Sequence, residues 1–269
     1  MRTLALTVAY DGTDWAGMQW QPSAPTVQGA LEKALASVLR HEVRIAAAGR
    51  TDAGVHALAQ VVSLRTPNPI PAERLPLALN VLLPESVRVR RAVERTAGFH
   101  ARRSAIFRRY WYRLQVTRHA DPLRGRFCWQ LERKLDVAAM RAALQPLAGR
   151  HDFAAFCHHG GETKGTARAL HHARVMSRGT GIVVDVQADA FVHRMVRLLV
   201  SNLVLVGAGE RPASWLEELL LSRDRSRSGK GAPARGLILM KIGYPPMEDP
   251  SREWEDSGDN DEMLSAESA

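Results

Sequence analysis

The chain has 269 residues, enough to bury a sizeable core in one large or two small domains. Its 37 Lys+Arg against 28 Asp+Glu leave a net charge of +9, and Cys128 and Cys157 are too few for a zinc cluster or a disulfide framework. No apolar run can span a bilayer and the start lacks a signal-peptide core, so a soluble cytoplasmic protein is expected rather than a membrane or secreted one.

The charge is unevenly spread. From Met247 onward there are nine acidic residues and one basic one, Arg252, while the preceding residues carry 36 basic against 19 acidic. Nearly all that excess is arginine, since lysine occurs only at positions 33, 134, 164, 230 and 241. A genome rich in arginine codons explains Arg over Lys but not the net surplus. The surplus points to a polyanion, most simply nucleic acid.

In chain order, residues 1–10 alternate like a strand. A turn-rich loop to Pro22 follows, with Trp15 and Trp20 placed either to stack on bases or to cover the core. Thr26 caps a helix with Val27, Leu31, Leu35 and Leu39 on one side. Residues 43–47 and 59–64 are strand-like and enclose the run Ala48-Gly49-Arg50-Thr51-Asp52-Ala53-Gly54-Val55-His56. Prolines at 67, 69, 71 and 76 break the next segment, and residues 88–93 form a further strand.

The second half repeats the plan. Residues 107–116 form a strand whose alternation puts Tyr110, Tyr112 and Leu114 on one face and Arg109, Trp111 and Arg113 on the other. Asp136 caps a helix carrying Val137, Met140, Leu144 and Leu147, ended by Gly149. Residues 152–166 read as a loop, and its His158 and His159 lack a carboxylate or thiol at metal-ligand spacing. Residues 170–176 and 181–188 pair antiparallel. The longest helix signal runs from Phe191 to Val206 and is apolar around most of its circumference. Arginine inside such a helix is costly without an anion, so at least one of Arg194 and Arg197 should meet one; a fold-supporting salt bridge would serve equally well. Ser214 to Glu217 has the form of a capping box, residues 223–231 make a basic loop, and residues 234–245 close the fold as a strand.

These elements predict an α+β protein of two similar halves, residues 1–104 and 105–246, forming a broad, mainly antiparallel sheet. Helices are expected on one face and an RNA-binding cleft on the other, with an acidic tail at 247–269. For the glycine-bracketed run, spacing alone favours a structural turn, because an Asp there can cap its own backbone. Arg50 two residues away, in an arginine-rich chain, brings a site into contention.

From Leu4 to Pro245 the chain resembles the TruA family of tRNA pseudouridine synthases. The resemblance rests on Tyr10-Asp11-Gly12-Thr13, the run from Gly49 to His56, Phe99-His100-Ala101-Arg102, Arg109-Tyr110-Trp111-Tyr112, Ala190-Phe191-Val192-His193-Arg194-Met195-Val196-Arg197 and Ala234-Arg235-Gly236-Leu237, in that order. It implies isomerisation of uridine to pseudouridine at positions 38, 39 and 40 of the tRNA anticodon stem-loop, by a homodimer without cofactor or metal. It places Asp52 as the catalytic aspartate and Tyr110 against the target base, with Arg50 and Arg197 lining the pocket. Thr51, His56, Phe99 and His100 join the substrate-binding set. The first loop departs from the pattern, with Met18 where the family has Trp.

The chemistry suits these residue types. A base taken out of its stack needs an aromatic or apolar face, and a carboxylate can attack or deprotonate the sugar without a metal. A guanidinium beside Asp52 would favour its ionised form. Two rivals compete: a non-catalytic RNA-binding module in which Asp52 is structural, and an Asp-dependent glycosylase that releases free uracil.

Overall fold

The computed structural model describes residues 1–158 and 165–246. Strand β1 (Arg2–Tyr10), helix α1 (Val27–Leu39), the short strand β2 (Ala46–Ala47), β3 (His56–Thr66), helix α2 (Leu75–Leu82) and β4 (Val87–Arg95) make up the first half. The second half contains β5 (Phe107–Val116), β6 (Trp129–Leu131), α3 (Val137–Leu144), β7 (Gly149–Asp152), β8 (Ala167–Arg178) and β9 (Gly181–Ala188). It ends with α4 (Met195–Gly207), α5 (Trp215–Ser222) and β10 (Leu237–Gly243). The acidic tail and the His159 end of the histidine loop lie outside the described residues.

All the strands form one sheet in the order β4-β1-β3-β10-β5-β9-β8-β7, with β2 beside β3 and β6 beside β5. The last strand, β10, joins the halves, parallel to β3 at Ile238 and Leu239 and antiparallel to β5. The 104/105 boundary falls between β4 and β5, outside any strand or helix.

Helices cover the face bearing Leu4, Leu6, Val8, Val62, Tyr112, Leu114 and Val184, which are buried in one core with Leu31, Leu35, Met140 and Leu199. The opposite face carries only a small cluster of Trp111, Ile238 and Met240. A bulge in β3 matters here: Val8 pairs with Gln60 but Tyr10 with Ala57, so the strand takes one extra residue between them. Ala57 and Gln60 therefore share the helix-bearing face, which also holds Tyr10 and Tyr110.

Local signals explain the helices. Thr26 accepts the Gly29 amide at 3.2 Å and Asp136 that of Ala139 at 3.0 Å, as the sequence predicts. The Ser214 capping box does not form. Ser214 has helical dihedrals, and its hydroxyl bonds the Glu218 carboxylate at 2.7 Å. Helix α4 begins at Met195 rather than Phe191, because Arg194 takes a left-handed φ of 60°. Phe191 and Val192 are shielded by packing, which continues the apolar pattern without helix. Gly149, with φ +99°, opens strand β7 and follows a 3-10 turn (Gln145–Leu147) rather than ending α3 directly.

Candidate active site

The run from Ala48 to Val55 is held from beneath by polar groups of the sheet. Buried Gln60 accepts from the Gly49 amide at 3.3 Å and donates to the Gly49 carbonyl at 2.8 Å, holding the peptide groups on either side of Gly49. The Tyr10 and Thr51 hydroxyls share a bond at 2.8 Å. Burial pushes the Tyr10 phenol up to about 12, so it stays neutral.

The first loop packs against the same turn. The Met18 amide donates to the Thr51 carbonyl at 3.1 Å. A Cβ on Gly12 would stand 2.0 Å from the Val55 carbonyl oxygen, and Gly17 has φ +105°. Only glycine permits this approach. Asp52 and Val55 then close a tight turn, with the Val55 amide donating to the Asp52 carbonyl at 3.2 Å.

Helix α4 approaches from the other half. Arg197 donates from Nη1 to Asp52 Oδ2 at 3.0 Å and from Nε to the Ala232 carbonyl at 2.7 Å, while the Ala232 amide donates back to the Arg197 carbonyl at 2.9 Å. Arg194 Nε lies 3.6 Å from the same carboxylate oxygen, and His193 Nε2 lies 3.5 Å from Oδ1. The positive end of α4 thus adds to the cationic setting of Asp52.

Around this carboxylate opens a cleft of about 700 Å³, within the range of small-molecule sites and roomy enough for a nucleoside. Arg50, Arg102, Arg108, Arg194 and Arg197 line it, and among the described residues Asp52 is the sole acidic one in the lining. Tyr110 forms an apolar wall, its ring edge-on to Phe191 at 5.1 Å, and burial pushes its phenol far up, keeping it neutral. The cleft lies on the helix-bearing side, over the seam between the halves. That corrects the expectation of a cleft on the bare face: Tyr10, Gln60 and Tyr110 all point to the helix side. Among the described residues no group of His, Cys, Asp or Glu is arranged to hold a metal ion, and no helix is long and apolar enough to cross a membrane.

A family model described as tRNA pseudouridine synthase matches residues 6–102 and 143–245, one segment in each half. The tRNA pseudouridine synthase A of Moorella thermoacetica is 43% identical over 248 residues, covering 91% of this chain and all of that protein. Those of Myxococcus xanthus and Blochmanniella pennsylvanica are 42% and 41% identical over 245 residues, each covering 91% of this chain and 92% and 94% of theirs. The chain belongs to the tRNA pseudouridine synthase family. Asp52 and Arg197 fall inside the segments matching that family model, and Tyr110 falls between them.

Of the residues singled out in the sequence, Asp52, Tyr110, Arg50, Thr51 and Arg197 line this cleft. Arg197, not Arg50, bonds the carboxylate; Arg50 stands exposed at the rim. Thr51 is buried against Tyr10 and contributes support. Three others do not line the cleft. His56 is buried, its Nδ1 accepting from the Gly12 amide at 3.0 Å and its Nε2 donating to the Arg235 carbonyl at 3.2 Å. Phe99 packs on Tyr244 with ring centroids 5.1 Å apart. His100 Nδ1 accepts the Arg102 and Arg103 amides, closing its own turn.

Sequence reasoning missed Gln60, Arg108 and His193. Gln60 is the one polar side chain between Ala57 and Val62. Arg108 shares the Tyr110 face by simple alternation. His193 lies beside the arginines but carries no spacing signal of its own. Of the two tryptophans, Trp15 is half-buried with Nε1 donating to Ser86 at 3.2 Å, whereas Trp20 is 49% exposed. Met18, at the family's Trp position, is buried.

Proposed function

We propose that this protein converts uridine to pseudouridine at positions 38, 39 and 40 of the tRNA anticodon stem-loop, with Asp52 as the catalytic residue, acting as a cytoplasmic homodimer. The observation that carries this reading is a half-exposed carboxylate pinned through one oxygen by Arg197, inside an arginine-lined cleft of nucleoside size walled by Tyr110.

In the reaction the bond from C1′ to N1 of uracil breaks and a bond from C1′ to C5 forms; C5 loses its proton and N1 ends protonated. Asp52 Oδ1 has His193 Nε2 at 3.5 Å but takes no hydrogen bond from Arg197, and it is the oxygen that attacks or deprotonates the substrate. Arg197 occupies the other oxygen and orients the carboxylate. The neutral Tyr110 ring offers the extruded uracil a face on which to turn without leaving. Of the cationic lining, the exposed Arg50 and Arg102 meet the RNA backbone, so binding draws on phosphate contacts.

The test is pseudouridine mapping of tRNA from cells lacking the protein, complemented with wild type or Asp52→Asn. The expected result is loss of pseudouridine at the three positions, restored by wild type only. Restoration by Asp52→Asn would favour a non-catalytic role, and free uracil released in vitro would favour a glycosylase. Light scattering of the purified protein reads the dimer.

A further inference from the structure

Arg108 lies on β5 two residues before Tyr110, on the same face. Its guanidinium reaches four backbone carbonyls: Nη1 donates to Ala105 at 3.2 Å and Asp189 at 2.9 Å, and Nη2 to Ala48 at 3.0 Å and Arg102 at 2.9 Å. No carboxylate lies within ion-pair distance of it among the described residues. Burial lowers its pKa from the ordinary guanidinium value, which marks a cation held partly away from water.

The four acceptors belong to segments far apart in sequence. Ala48 leads directly into the turn carrying Asp52. Asp189 follows β9 and leads into the residues presenting His193, Arg194 and the start of α4. Arg102 and Ala105 lie in the crossover joining the halves, and Arg102 itself lines the cleft. Asp189 attracts this half-buried cation only from beyond ion-pair distance, less than burial costs it, so its retention calls for a task that a neutral or point-charged side chain cannot perform. A planar fork of five donors can bridge four carbonyls spread around it; an ammonium group cannot.

We propose that Arg108 is a positioning residue that locks the Asp52 turn to the segment entering α4, setting the distance at which Arg197 meets the Asp52 carboxylate. This rests on Asp52 being catalytic. The scaffold that orients reacting groups must hold them closely, since displacement of about 1 Å costs on the order of 10²-fold in rate. Other contacts cross the seam, among them the β3–β10 pairs, His56 to the Arg235 carbonyl and Arg126 to Asp11, and Arg108 adds a bridge from the Ala48 carbonyl to the Asp189 carbonyl at the entry to α4.

The experiment uses full-length Arg108→Lys and Arg108→Ala with a tRNA substrate. Single-turnover rate on saturating tRNA is expected to fall about 10²-fold in both, while tRNA affinity and its salt slope stay near wild type. Amide exchange should accelerate at residues 48–55 and 190–197 but not in β8, and added guanidinium ion should restore part of the Arg108→Ala rate. Unchanged rate and exchange would overturn the proposal. So would a salt slope reduced by about one with normal chemistry on bound tRNA, which marks a phosphate contact. Loss of cooperative unfolding in both variants would also overturn it, making Arg108 a determinant of the fold. If Asp52→Asn were active, the catalytic assignment would fail, yet exchange at residues 48–55 would still report whether Arg108 holds the turn.

Discussion

Two aspartate–arginine pairs lie on opposite faces of the sheet, and their geometry separates a scaffold from a reagent. On the bare face Asp185, with a side chain 2% exposed, accepts from Arg109 through both oxygens, at 2.9 and 2.7 Å, with His172 Nε2 a further 3.2 Å from Oδ2. On the helix-bearing face Asp52 is 26% exposed and accepts one bond from Arg197, at 3.0 Å. A carboxylate with both oxygens engaged away from water has no lone pair facing a partner from outside. One hydrogen-bonded through a single oxygen at the mouth of a cleft is oriented, with its second oxygen accepting no hydrogen bond and His193 Nε2 3.5 Å from it.

The largest effects test that contrast directly. Asp52→Asn should lower the rate by about 10⁴-fold or more, as removal of a covalent or basic group does in other enzymes, with little change in melting temperature. Asp185→Asn should do the reverse. It leaves the Arg109 guanidinium facing a neutral amide and should destabilise the fold by about 3 kcal/mol, the low end for a broken buried pair because Arg109 is 35% exposed. That lowers the melting temperature by roughly 6–12 °C. Calorimetry and single-turnover assays on both variants read the two outcomes, and a rate loss in Asp185→Asn comparable to its stability loss would erase the distinction.

A middle-sized effect separates the two arginines that the sequence grouped together. Arg197→Lys keeps the charge but cannot bond both Asp52 and the Ala232 carbonyl, so a rate loss of about 10²-fold is expected. Arg50 has no ion pair with Asp52 and stands at the rim. Arg50→Ala should weaken tRNA binding and reduce the salt slope of affinity by about one phosphate contact. Filter binding across a salt series resolves the second, and an unchanged slope would place Arg50 away from the RNA backbone.

How far the sequence carries can be judged from particular residues. Period-two alternation assigned Tyr110 and Tyr112 to one face of β5 and Trp111 to the other, as observed, because side-chain direction in a strand follows residue parity. Motif order singled out Asp52 and Arg197, which the structure brings to 3.0 Å, and the cost of arginine in an apolar helix marked at least one of Arg194 and Arg197 as needing an anion. Membership in a motif gave no direction, however. His56 closes the glycine-bracketed run but begins β3, and it packs into the interior instead of the cleft. The face of the sheet that carries the cleft depends on the β3 bulge, an extra residue that leaves no trace in hydrophobicity. The left-handed Arg194 is equally silent, since the apolar pattern runs straight through it from Phe191 to Met195.

His56 offers the smallest and most selective test, because it pits a structural histidine against the catalytic cleft. Its Nδ1 accepts the Gly12 amide and its Nε2–H donates to the Arg235 carbonyl, an arrangement that requires the neutral ring. Burial pushes its pKa below 6.5; Asp11, 3.1 Å away, pulls the other way, but Arg126 Nε at 2.6 Å already offsets that carboxylate. The unfolded chain therefore binds the proton more tightly than the folded one. Stability from this group is complete above about pH 6.5 and is lost as pH falls through that value toward the lower folded pKa. Melting temperature should decline shallowly on acidification through this window, and His56→Gln should flatten the decline from a lower starting stability. Single-turnover rate on saturating tRNA should follow the same pH profile in both proteins. A profile altered by His56→Gln would mean that the residue reaches the chemistry in Asp52's cleft, contrary to its buried place beneath the first loop.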